Sequence, residues 1–169
     1  SYIIGDPNRQ ETFIGPLTRE QQITVLNDQV ADAVEKGAIL KAGGSQMEGK
    51  GNYYLPTVLV NCDPSMKVMR DESFGPIIGI QKVASDAEAV TLMQDTEYGL
   101  TASVYSSSEI RALDILNKMD TGTVYWNCCD RVSPNVPWSG RRNSGLGSTL
   151  SSQGIRAFVQ PKSYHLRRI

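Results

Sequence analysis

The sequence predicts an α/β fold, a layered sheet with flanking helices, on three observations. Short runs rich in β-branched and aromatic residues alternate with segments whose apolar residues recur at helical spacing. The helical segments carry helix punctuation, with S/T-x-x-E/Q ahead of them and glycine behind. Bulk composition fits a globular domain with a real core: 169 residues, 40% hydrophobic and 21% charged.

The first helix is expected after Thr18, which forms a capping-box pattern with Gln21, and runs through Leu26, Val30 and Val34 to a stop at Gly37. Strands follow at "AILKA" (38–42) and "TVLV" (57–60), on either side of "GGSQMEGKG" (43–51). A strand followed by G-x-x-x-x-G-K is how a phosphate-binding loop begins, but such a loop needs Ser or Thr after the lysine and a helix behind it. Lys50 is followed by Gly51 and then by "NYYLPTVLV", which reads as a strand. The phosphate reading fails, and a glycine-rich connection between two strands replaces it.

A third apolar run, "PIIGIQKV", precedes a second capping box, Ser85 with Glu88, which opens a helix through Ala89, Leu92 and Met93 that ends before Gly99. "TASVYS" reads as a strand and "SEIRALDILNKM" as a helix with Ile110, Leu113 and Leu116 on one face. "GTVYW" reads as a further strand. After Asn127 the pattern dissolves into "CCDRVSPNVPWSGRRNSGLGS", a long irregular stretch of the kind that often carries function. No repeat, low-complexity tract or linker composition marks a domain boundary inside the chain.

A formal net charge of −1 gives no electrostatic footprint for nucleic acid or an anionic membrane. No apolar run is long enough to span a bilayer and nothing resembles a signal peptide. Cys62, Cys128 and Cys129 do not form a secreted disulfide framework, so a reducing, cytoplasmic compartment is expected. The first residue is Ser1 rather than methionine, which suggests processing, cutting or a piece of a longer protein.

Four stretches stand in a definite order: "GDP…TFIGPLT", "GNYYLPTVL", "DESFGPI" and "VPWSGRRNSGLG", with "EYGLTASVY" and "GTVYWN" between the last two. Together, over nearly the whole chain, they resemble the C-terminal part of the NAD(P)-dependent aldehyde dehydrogenase superfamily. The resemblance implies part of that family's catalytic domain over 1–154, with 155–169 as a tail resembling its oligomerisation strand. In the family a cysteine thiolate attacks the aldehyde, hydride passes to the nicotinamide, and a glutamate helps water release the acid. No catalytic residue of that set is matched here: the nucleophile, general base, oxyanion asparagine and dinucleotide-binding fold would lie upstream. No metal is implied.

The resemblance assigns Glu72 and Phe74, in E-x-F-G-P, to the cofactor, NAD or NADP in the complete enzyme. A carboxylate can accept from both ribose hydroxyls, and an apolar ring limits where the nicotinamide sits. Read from the residues alone, Glu72 caps a turn and Phe74 fills the core. Trp138, in "PWSG", matches the mouth of the aldehyde tunnel. Ser139 replaces the first glycine of the family's pattern there, and serine tolerates positive φ poorly. Cys128 and Cys129 belong to the loop expected to line the substrate entrance. A nucleophilic role would need a base or positive field near the thiol, and the single histidine, His165, is not placed there by sequence. A packed thiol and a vicinal disulfide are the other readings.

Asn127 is expected to bond backbone groups at its strand end. Arg131, Arg141 and Arg142 are either solvated or able to hold an anionic substrate. The tail "RAFVQPKSYHLRRI" alternates apolar residues around Pro161, which confines any strand to an edge and suits pairing with another subunit of a homo-oligomer. Two functions follow. The first is the C-terminal part of an enzyme oxidising an aldehyde substrate to a carboxylic acid, inactive by itself. The second is a truncated homologue serving as a non-catalytic interaction or structural module.

Overall fold

A computed structural model describes residues 2–129 and 131–168. The chain divides into two compact units, Ser1–Val83 and Ala84–Ile169. The division falls in "QKVASD", which neither proline, glycine nor a charge run marks in sequence.

The first unit opens its regular structure with helix α1, Gln21–Glu35. Ile23, Leu26, Val30 and Ala33 recur every three or four residues and are buried. The helix does not start as the capping box predicts. Its N-cap is Glu20, in helical conformation and with no side-chain cap. Tight bonds from Gln22 N to Arg19 O and from Ile23 N to Glu20 O occupy the first amides instead. The C-terminus is a Schellman motif: Gly37 adopts φ 101°, Ala38 N donates to Ala33 O and Gly37 N to Val34 O.

Strand β1, Ile39–Ala42, pairs antiparallel with β2, Thr57–Val60, which pairs parallel with β3, Ile77–Ile80. The glycine-rich segment that imitates a phosphate loop connects β1 to β2, and Lys50 is exposed. Gly43 is fixed by packing, since a Cβ there would meet Pro56 O at 2.3 Å. Leu59 of β2, Val30 and Ala33 of α1, Cys62 and Met66 form one core cluster, and Ile23, Leu26 and Tyr54 form a second.

The second unit contains α2, Asp86–Gln94; β4, Thr101–Val104; α3, Glu109–Leu116; β5, Thr123–Trp126; and a short α4, Ser151–Arg156. Strands β4 and β5 pair in parallel, and α3 is the crossover between them. Both longer helices are capped as their sequences predict or better. Ser85 Oγ accepts from Glu88 N, and Ser108 Oγ accepts from Arg111 N. The buried face of α3 is Ala112, Ile115 and Leu116, whereas Ile110 is 84% exposed and Leu113 is exposed as well. The expected face is thus rotated: the small Ala112 lets the helix lie close to its strands, and the 110/113 edge turns outward.

The strand expected in the tail is not formed within this chain. Residues 151–156 are helical, and the described residues from 157 to 168 contain no strand. An edge strand exists only as a ladder with a partner, and a single chain offers none. No helix among the described residues is long and apolar enough to cross a membrane.

Candidate functional site

The sequence-predicted residues fall in both units, Glu72 and Phe74 in the first, Cys128, Cys129 and Trp138 in the second. The turn 72–75 is built against α1. Gln22 Nε2 donates to Ser73 O at 2.5 Å and Gln29 Nε2 donates to Glu72 O at 3.4 Å. Both glutamines are buried, Gln29 to 1% exposure, and they stand two turns apart on the same face as Leu26. Leu26 packs on Gly75 so tightly that a Cβ there would lie 2.4 Å from Leu26 Cδ1. Thr57 N holds the far side by donating to Pro76 O at 2.8 Å.

Clamped in this way, Phe74 adopts φ 43° and stands 76% exposed. A bulky residue in that region costs on the order of 1–3 kcal/mol, which the surrounding bonds must hold. The ring therefore does not fill the core. It borders a cavity of about 310 Å³ lined also by Thr18, Arg19 and Gln22. Glu72 is exposed too, and no described residue bonds its carboxylate. The turn thus offers an exposed carboxylate and an exposed apolar ring on a backbone held by Gln22, Gln29 and Thr57. Gln22 and Gln29 escape a sequence reading because glutamine normally counts as surface. Their one signal was position, since both share the helix face of Leu26.

In the second unit the end of β5 is pinned by side chains. Asn127, at φ 54°, accepts from Ser106 N at 2.8 Å and donates to Ser106 O at 3.0 Å. Trp126 Nε1 donates to the same carbonyl at 2.9 Å. Asn127 thus has the structural role expected. Ser103 Oγ donates to Cys128 O at 2.6 Å. The neighbouring Cys129 side chain is the main cause holding the Tyr105 phenol above its ordinary value. All three cysteines are free, with Cys128 half-buried and Cys129 exposed.

Trp138 is half-buried and forms a two-bond bridge with Thr149, each N–H···O distance 2.9 Å. Ser139 has no positive φ, so serine in the place of glycine is unstrained there. The glycine that matters is Gly122, where a Cβ would sit 1.5 Å from Ser139 O. Arg142 bonds Asp120 Oδ2 and the carbonyls of Gln94 and Thr96, and Arg141 bonds Ser139 Oγ and Gly140 O. Their guanidinium groups fasten the loop, which removes support from the anion reading for these two. No group of three or more metal-binding side chains occurs among the described residues.

The model of the aldehyde dehydrogenase family matches residues 1–164. The chain belongs to the aldehyde dehydrogenase family. A succinate-semialdehyde dehydrogenase [NADP(+)] of Deinococcus radiodurans is 38% identical over 96% of this chain and 34% of its own length. Among solved structures, Gox0499, studied for cofactor and substrate selection, superposes with a TM-score of 0.92 at 36% identity, over 98% of this chain and 36% of that one. Betaine aldehyde dehydrogenase from Staphylococcus aureus, in complex with NAD+, gives 0.86 at 29% identity, over 92% and 32%. This aldehyde dehydrogenase chain thus spans about a third of the length of the relatives it matches.

Proposed function

We propose that the chain is the C-terminal portion of the catalytic domain of an enzyme that oxidises an aldehyde to a carboxylic acid with NAD or NADP. The observation that carries this is the clamped 72–75 turn. Its exposed ring and unpartnered carboxylate fit a nicotinamide and its ribose hydroxyls, and its strain is the kind stored at binding sites. When bound, the dinucleotide supplies the hydride acceptor. Glu72 accepts from ribose hydroxyls, Phe74 limits the ring's position, and Gln22 and Gln29 keep both in place. Cys128, Cys129 and Trp138 border the aldehyde entrance. The nucleophilic cysteine and general base come from the rest of the enzyme, so the chain alone forms no NADH. The tail that follows α4 pairs with a neighbouring subunit of a homo-oligomer, and three free thiols suit a cytoplasmic setting.

The test is Glu72→Gln in the complete enzyme. Charge-assisted hydrogen bonds are each worth about 1.5–3 kcal/mol, so kcat/KM for the dinucleotide should fall roughly tenfold to a hundredfold. Unchanged cofactor affinity and turnover would remove Glu72 from the site.

A further inference from the structure

We propose that Cys128 and Cys129 form a binding site for trivalent arsenicals of the type R–As=O, both thiols closing on one arsenic atom. The two residues are chain neighbours, with Cα atoms about 3.8 Å apart across a trans peptide. Disulfides ordinarily need a Cα separation of about 4.4–6.8 Å, so direct closure of this pair would strain the backbone. One extra atom between the sulfurs relieves that strain. The step is a condensation with no redox change. Each thiol gives up its proton, two S–As bonds form, and the arsenical oxygen leaves as water carrying both protons.

The fold presents the pair. Asn127 ties the chain to Ser106 immediately before it, and Ser103 Oγ holds the Cys128 carbonyl. Cys129 is exposed and Cys128 half-buried. The third thiol provides an internal contrast. Cys62 is 4% exposed within the α1–β2 core, and burial pushes its pKa up, so it lacks both access and thiolate. The inference does not depend on the enzymatic reading.

The 169-residue chain is treated with phenylarsine oxide and analysed by intact-mass spectrometry and peptide mapping. One phenylarsenic group per chain is expected on the peptide holding both cysteines. It should survive excess 2-mercaptoethanol and be removed by 2,3-dimercaptopropanol, because two linked thiols hold arsenic at high effective concentration. Cys128→Ser and Cys129→Ser should each lose the monothiol-resistant adduct, at least about tenfold in retained label, while Cys62→Ser keeps it. Mapping on the unsubstituted chain decides the matter if a variant fails to fold. An adduct stripped by monothiol, or one found on Cys62, would overturn the proposal.

Discussion

Gly75 offers a direct test of the clamp. A Cβ at this position would lie 2.4 Å from Leu26 Cδ1 and 2.8 Å from Cδ2, about 1 Å inside ordinary contact for the nearer atom. The end of a leucine side chain can usually swing away. Leu26 is 0% exposed and packed with Ile23 and Tyr54, so it has no empty space to enter. Gly75→Ala should therefore cost the about 1–3 kcal/mol typical of overpacking. Leu26→Ala should cost about 2–5 kcal/mol through lost burial and a cavity. In the double variant the methyl at 75 projects into the space that the leucine vacated, so the clash disappears and part of the cavity fills. The double variant should then be more stable than the sum of the singles by about 1–2 kcal/mol. Urea unfolding followed by far-ultraviolet circular dichroism measures all four proteins. Both tryptophans lie in the second unit, so their fluorescence would miss this site. Additive costs, within about 0.5 kcal/mol, would refute the contact between α1 and the turn.

Helix caps separate sequence from structure in the same way. Ser85→Ala removes the hydroxyl that accepts from Glu88 N and should cost about 1 kcal/mol, whereas Thr18→Ala should cost under about 0.5 kcal/mol because Thr18 caps nothing. Thermal unfolding of the two variants distinguishes them. Acid should destabilise the chain in a defined window. The Lys36 ammonium, followed by the Lys67 amide, holds Asp32 below the usual carboxylate value of 3.8, and the Arg111 guanidinium does the same for Asp86. A depressed folded value means stability that is complete above 3.8 and lost as pH falls through the folded values. The midpoint of thermal unfolding should therefore hold above about pH 4 and drop as the pH falls below it. A flat profile there would contradict these pairings.

Order and type of the main elements were legible because each strand and helix carries its own periodicity. Glycine at 37 and serine at 85 act locally, and the sequence reading located both. What it missed depended on partners distant in the chain. Thr18 looks like a cap, but the backbone turns through Arg19 and Glu20 and satisfies the amides itself. Ile110 and Leu113 look like a core face, but Ala112 decides which side of α3 approaches the sheet. Helix α4 begins at Leu150 and Ser151 with φ 62° and 53°, a start that no residue preference announces. At the candidate site the proposed pair, Glu72 and Phe74, stood out as a motif, and the bonds that hold its turn did not. Buried glutamines bonding carbonyls some forty to fifty residues away leave no local pattern.

The long stretch after β5 is held unevenly. From Ser139 to Gly145 its backbone and side chains are bonded to Gly99, Glu97, Gln94, Thr96 and Asp120, and Gly122 leaves no room for the loop to shift. From Arg131 to Pro137 the described bonds are fewer, chiefly Tyr125 to the Arg131 carbonyl, Ser151 N to the Pro134 carbonyl, and a turn from Ser133 to Val136. One half tolerates neither insertion nor a side chain at its glycine contact, while the other is held mainly through backbone carbonyls and can vary in side-chain composition. A randomised library confined to 131–137 should thus leave the frame folded, whereas the same diversity placed at 139–145 should mostly return unfolded protein.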